Sequence, residues 1–261
     1  GGKLPAEMKA VILEAIARKM SIVSGLHEFL GKDQDIAQAA RQHGACLQDI
    51  RENSERDVTQ RKGLNEKCLR LHTVGHDCNV GKMVVSLELS LALQKAGHDA
   101  KFVATGQTGI MIEGDGCPID AVVADFINGA AEKMVLANQH HEMLLIEGQG
   151  SITHPRYSSV TLGLLHGCMP DGLILCYEMG RETVYGMDHV KLAPLRVNGE
   201  TRAIQSTAPV IVDPAPPPAN QLYPSTVANA NGVTVAWEDR RRGHTVLMHS
   251  HSPDAKRFTA P

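Results

Sequence analysis

From Gly75 to Met83 the chain reads G-H-D-C-N-V-G-K-M, with a glycine at either end of a short polar turn, a lysine after the second, and an apolar-periodic segment beyond. That order suits the capture of a phosphate. Glycines let the backbone approach an anion, successive N–H groups converge on it, and a helix N-terminus adds partial positive charge. Gly75, Asp77, Cys78, Asn79, Val80, Gly81, Lys82 and Met83 are therefore the expected phosphate or cofactor set, with Lys82 supplying the mobile full charge. The usual phosphate-loop pattern places four residues between its glycines and a hydroxyl after its lysine, where it holds a magnesium ion. Here five residues intervene, and the Met83 thioether cannot serve a hard cation. The stretch reads first as an anion cradle and only second as an ATP–magnesium site. An ordinary glycine-rich turn is the bland alternative.

Other residues of useful chemistry fall in small-residue loops. Glu147 ends an apolar run and opens E-G-Q-G-S, which also carries Gln149; it and Asp77 can bind a metal ion or move a proton at the cradle, or cap loop N–H groups. Thr105, Gln107 and Thr108, in T-G-Q-T-G, offer neutral groups able to read a carboxylate or amide. His154, Arg156 and Tyr157 follow in S-I-T-H-P-R-Y, a set able to bind a substrate carboxylate and transfer a proton. Cys78, near a helix N-terminus and Lys82, has the setting of a low-pKa thiol, but nothing orients a base toward it. His166 reads as a helix C-terminal residue, and His140-His141 as a surface pair. No C-x-x-C pair is present and no histidine spacing supports a metal site, so none is expected.

The elements that position these residues alternate. Residues 5–20 carry apolar residues at helical spacing, with Pro5 at the expected first helical position. Ile22-Val23 is a short strand, Asp33 caps a helix over 35–42 closed by Gly44, and Cys46–Ile50 is a second strand. Arg51–Lys67 is charged and apolar-poor and reads as a linker. Strands are expected at Leu69–Val74, Lys101–Thr105, Met143–Ile146 and Leu173–Cys176, and helices at Met83–Ala96, Ala121–Leu136 and Ser159–Leu165. In an open parallel sheet, ligands sit beyond the carboxyl ends of the strands, where four of these polar loops fall.

Composition bounds the rest. An apolar content of 43% with only 3% aromatics describes a core of aliphatic side chains, suited to buried parallel strands. A net charge of −3 marks no polyanion-binding surface, so nucleic acid is not expected. Six unpatterned cysteines read as free thiols of a cytoplasmic protein. No run approaches the ~18 apolar residues of a membrane helix, and no signal peptide is visible. The chain begins at Gly1-Gly2 without a methionine, which points to a missing N-terminal piece.

The organisation expected is an α/β fold: a partial Rossmann-like α/β unit over 1–66, then a parallel-sheet, P-loop NTPase-like domain over 67–200. Residues 201–261 form a tail. It has a proline-rich linker, Ala208–Asn220, and a β-hairpin in V-T-V-A-W-E-D-R-R-R-G and H-S-H-S-P-D, similar to one blade edge of a sialidase-type propeller. This tail reads as foreign to the domain before it.

Two families are similar. G-H-D-C-N-V-G-K-M with E-G-Q-G-S resembles dethiobiotin synthetase, whose loop also spaces its glycines by five and whose E-G-A-G motif places an acidic residue near magnesium. The longer likeness runs from about Gly1 to Arg196, through S-G-L-H-E-F-L, A-K-F-V-A-T-G-Q-T-G-I-M-I, V-V-A-D-F-I-N-G-A-A-E, E-G-Q-G-S-I-T-H-P and Y-S-S-V-T-L-G-L-L-H-G. It resembles the P-loop family, long catalogued as a domain of unknown function, that includes bacterial D-glutamate N-acetyltransferase. That resemblance implies acetyl transfer from acetyl-CoA to the amine of a D-amino acid, and a homo-oligomer. Family members commonly carry threonines after G-K-M, where this chain has Val84 and Val85. On the acyltransfer reading, Glu147 or His154 is the base, Arg156 and Gln107 contact the substrate carboxylate, and the loop holds the coenzyme's phosphates. An ATP-dependent ligase or kinase using magnesium, and a non-catalytic anion or nucleotide binder, are the alternatives.

Overall fold

The computed structural model describes residues 4–178 and 180–192 in full, together with the backbone of five strands between 195 and 252. It divides into two compact units, one of Gly1–Gly75, Gly81–Ser151 and Arg156–Cys176, the other of His76–Val80, Ile152–Pro155 and Tyr177–Pro261. No helix among the described residues is long and apolar enough to cross a membrane.

The first unit begins with α1 (Ala6–Ala17). Pro5 stands one residue outside the helix rather than at its first position, because its carbonyl already accepts the first helical bond, from Lys9 N at 2.9 Å. β1 (Ile22–Ser24) and β2 (Leu47–Asp49) pair in parallel around α2 (Gln34–His43). Asp33 caps α2 through Ile36 N, and Gly44 closes it in the left-handed conformation. Ile16, Leu30, Ile36 and Ala40 form a small core beneath these elements.

The main sheet contains β3 (Leu69–Gly75), β4 (Ala100–Val103), β5 (Met143–Ile146) and β6 (Gly172–Cys176), all parallel in the order β4-β5-β3-β6. This is the mixed α/β, parallel-sheet architecture the sequence implies. Its helices are α3 (Lys82–Lys95), α4 (Gln107–Glu113), α5 (Ile127–Asn138) and α6 (Ser158–Cys168). Ile119, Ile127, Ala131, Val135, Leu144, Ile146 and Leu164 are buried in one core cluster.

Two expectations need correction, and one helix buries a face that the sequence does not mark. T-G-Q-T-G is not all loop: from Gln107 onward it is the first turn of α4. The helix expected from Ala121 starts at Ile127, after two 3-10 turns at Ile119–Ala121 and Ala124–Phe126. α3 does not bury its leucines but Lys82, Ser86 and Ser90, leaving Val84, Leu89 and Leu91 exposed. The reason is close approach to the sheet, with Ser86 Oγ 2.9 Å from Thr73 Oγ1 and 3.3 Å from the Ile146 carbonyl. Small hydroxyls fit there and satisfy one another.

The charged segment 51–67 has no regular structure, yet it lies against α5. The buried Glu132 carboxylate accepts hydrogen bonds from Thr59 Oγ1 at 2.7 Å, Gln60 N at 2.7 Å and Arg61 N at 2.6 Å. Those donors hold its pKa below the ordinary carboxylate value despite burial, which alone would raise it.

In the second unit β7 (Thr183–Val184) and β8 (Met187–Lys191) form an unforeseen hairpin. β9 (Leu195–Val197) pairs antiparallel with β10 (Ile204–Ser206). β11 (Gln221–Asn229), β12 (Gly232–Asp239) and β13 (Val246–Ser252) make an antiparallel meander, one strand more than the expected hairpin. The proline-rich stretch lies outside the described residues.

Candidate active site

β3 leads into the glycine-bounded loop and α3 leads out of it, the layout a phosphate cradle requires. Asn79 and Gly81 both take left-handed backbone, at φ 54° and 85°. Gly81 is the residue before α3, and Lys82 is the helix's first residue, 6% exposed, with its aliphatic stem against Gly148. The Lys82 charge reaches its neighbours: burial raises the pKa of the Glu147 carboxyl and the Cys176 thiol and Lys82 opposes that rise, while burial lowers that of His72 and Lys82 acts in the same direction.

Glu147 ends β5 and is 5% exposed. Its Oε2 accepts from Thr105 N at 2.8 Å and Gly106 N at 3.0 Å, while Thr105 Oγ1 donates to the Glu147 carbonyl at 2.9 Å. Gln149 Nε2 donates to the Thr105 carbonyl, and Thr161 Oγ1 donates to the Gln149 carbonyl at 2.6 Å. Burial pushes the Glu147 carboxyl up. The two N–H donors oppose that, Asp120's negative charge adds to it, and Lys82 pulls back. Glu147, Thr105 and Gln149 are therefore brought together, and the carboxylate organises the turn into α4. Gln107 and Thr108 sit in the first turn of that helix, and Gln107 packs its side chain toward Gly25. Arg156 and Tyr157 are exposed, just before α6.

A second cluster lies wholly in the other unit. Asp77, fully buried, accepts from Arg181 Nη1 at 3.0 Å and Tyr185 N at 2.7 Å through Oδ2, and from Cys78 N at 2.7 Å through Oδ1. Arg181 Nη1 also donates to the Cys78 carbonyl at 2.7 Å, and Nη2 bonds Glu178. His154, 1% exposed, has Nε2 3.1 Å from the Tyr185 carbonyl and 3.9 Å from Asp77 Oδ1. Sequence spacing gives no metal set, yet Asp77, Cys78 and His154 bring three ligand-type atoms within 4.8 Å of one another. The arginine beside the only carboxylate of this trio satisfies its charge, so the arrangement is an ion-paired clamp on residues 76–80. Arg181 and Tyr185 were missed in the sequence: neither lies in a segment of clear periodicity, and both reach a partner more than 100 residues away.

The model for the domain of unknown function DUF1611_C, a P-loop domain, matches residues 56–214, and that for DUF1611_N, a Rossmann-like domain, matches residues 1–53. Over 200 residues the chain is 42% identical to a D-glutamate N-acetyltransferase of Pseudoalteromonas sp, covering 77% of this chain and 60% of that protein. Over 191 residues it is 43% identical to a D-glutamate N-acetyltransferase of Tritonibacter scottomollicae, covering 72% and 56%. The chain thus spans 56–60% of the length of these curated relatives. A crystal structure of a DUF1611 family protein from Anabaena variabilis aligns with a TM-score of 0.69 at 39% identity, covering 74% of this chain and 57% of that one.

Proposed function

The chain belongs to the DUF1611 family, with its Rossmann-like N-terminal domain and its P-loop domain, and from that premise we propose that it is an N-acetyltransferase acting on a D-amino acid of the D-glutamate type, with acetyl-CoA as donor. The observation that carries this reading is the 42% identity, over 200 residues, to a protein named for that activity. The chemistry of the loop is compatible with it. Coenzyme A carries a pyrophosphate and a 3′-phosphate, so a loop with left-handed Asn79 and Gly81 and with Lys82 as the first residue of α3 suits it, and no magnesium hydroxyl is needed at Met83.

Acyl transfer needs a neutral amine, an acceptor for its proton, and donors for the tetrahedral oxyanion. In this proposal Glu147 holds the Thr105–Gly106 turn, and Gln107, Thr108 and Gln149 meet the amino acid, with Arg156 and Tyr157 at the periphery. His154 and Asp77 hold the loop tip. A homo-oligomer is part of this proposal, testable by sedimentation.

The test is calorimetric titration with acetyl-CoA, and separately with ATP plus magnesium, of the wild type and of Lys82→Ala. Acetyl-CoA binding that disappears in Lys82→Ala, together with acetylation of D-glutamate by the wild type, is the expected result. Magnesium-dependent ATP binding without acetyl-CoA binding would move the ligase or kinase reading ahead. Binding without turnover of any D-amino acid would leave an anion-binding protein.

A further inference from the structure

The acetyltransferase reading leaves the proton acceptor unassigned, and this inference rests on that reading. Neither buried candidate is well placed for the task. Glu147 has committed Oε2 to two backbone N–H groups, and His154 is 1% exposed with Nε2 on a backbone carbonyl.

The segment S-G-L-H, Ser24–His27, starts at the last residue of β1 and is drawn against the P-loop domain. A Cβ at Gly25 would stand 2.7 Å from Gln107 Cγ and 3.1 Å from its Cβ, so only glycine permits that approach without a shift. Arg51, 6% exposed, fastens the contact: its Nε donates to the Gly25 carbonyl at 2.7 Å and its Nη1 to Asp120 Oδ2. His27 then has Nε2 4.0 Å from the same Asp120 oxygen, with its side chain 55% exposed. Asp120 Oδ1 is buried without a hydrogen-bond partner. Asp120 Oδ2 thus sits between the Arg51 guanidinium and the exposed His27 ring, which places a carboxylate beside Nε2. The Asp120 charge also reaches Glu147 at the end of β5.

We propose that His27 is the general base of the acetyl transfer, oriented by Asp120, which is in turn held by Arg51. With Nε2–H turned toward Asp120, Nδ1 carries the lone pair and takes one proton from the substrate ammonium. The freed nitrogen pair attacks the thioester carbonyl carbon, and the C–S bond breaks with its electrons leaving on sulfur. The amine's second proton passes to the thiolate, giving an amide and a free thiol, while the first proton passes from His27 to water. Asp120 and Arg51 are positioning residues.

His27→Ala is expected to lower kcat about a hundredfold with the dissociation constant for acetyl-CoA unchanged, and added imidazole to restore part of the rate, a rescue that a structural role would not give. Asp120→Asn is expected to lower kcat without that rescue. Retention of kcat within about threefold by His27→Ala, with acetyl-CoA bound as before, would overturn the assignment. Carbethoxylation of His27 in the wild type, followed by mass spectrometry, gives a readout independent of turnover: D-glutamate with coenzyme A should slow it, and an unaffected rate also counts against the proposal. A wild type that acetylates no D-amino acid overturns the acetyltransferase reading instead.

Discussion

Arg181 Nη1 lies 3.0 Å from Asp77 Oδ2, tying the turn after β6 to the tip of the glycine-bounded loop. Asp77 is fully buried and the Arg181 side chain only 15% exposed, so removing one partner strands a charge in a poorly solvated place. Arg181→Met should therefore cost about 3 kcal/mol. Asp77→Asn combined with Arg181→Met should be less harmful than the sum of the single changes, because neither charge is then left alone. Urea denaturation of the four proteins measures both, and strict additivity would mean the pair carries no coupling.

His72, on β3, is fully buried, and its Nδ1 lies 3.3 Å from the Ile146 carbonyl. Burial lowers its pKa from 6.5 to about 4, with Lys82 pushing the same way and the carbonyl opposing. The unfolded chain binds the proton near pH 6.5 and the folded chain only near 4, so this group's contribution is intact above pH 6.5 and is lost on acidification through that window. A gap of about 2.5, at ~1.4 kcal/mol for each pH unit, bounds the loss at roughly 3 kcal/mol. His72→Leu should flatten the stability curve between pH 6.5 and 4. Denaturation at stepped pH would show an unchanged slope if another group were responsible.

Much of this was legible in advance, and the exceptions share a cause. β5 was read residue for residue and α3 within one residue of each end, because an apolar run and a glycine-lysine boundary are local signals. α4 was missed: T-G-Q-T-G looks like a turn, and what makes its entry regular is the Glu147 carboxylate, about 40 residues away, on the Thr105 and Gly106 amides. The buried face of α3 was not legible, because leucine periodicity carries no information about a sheet that accepts serines. Arg51, Arg181 and Tyr185 come from segments without period, and their roles depend on distant partners that only the folded chain supplies.

A Cβ placed on Gly148 would fall 1.7 Å from the Thr73 carbonyl oxygen, a backbone atom of the central strand that cannot swing aside. Gly148→Ala should thus cost at least about 3 kcal/mol or prevent folding. Gly114 has a left-handed backbone at φ 79° but open space around its Cβ position, so Gly114→Ala should cost only about 1 kcal/mol. Thermal melts of the two variants separate crowding from backbone strain, and equal losses would contradict the distinction.

Met83 sits in the first turn of α3, where a phosphate loop that works through magnesium carries a hydroxyl, and the next two residues are Val84 and Val85. A thioether offers a hard cation nothing, so wild-type affinity for ATP should be unchanged by magnesium. Met83→Thr places a hard oxygen at that position. It should strengthen ATP binding in the presence of magnesium by about tenfold, which corresponds to ~1.4 kcal/mol, while leaving acetyl-CoA binding within about twofold, since coenzyme A's phosphates are held by amides and Lys82 on the proposed reading. Calorimetric titration of both proteins with each ligand decides the matter. Strong magnesium dependence already present in the wild type would show that the cation is held by residues other than the missing hydroxyl, and the phosphate cradle would then have to be read as a nucleotide site.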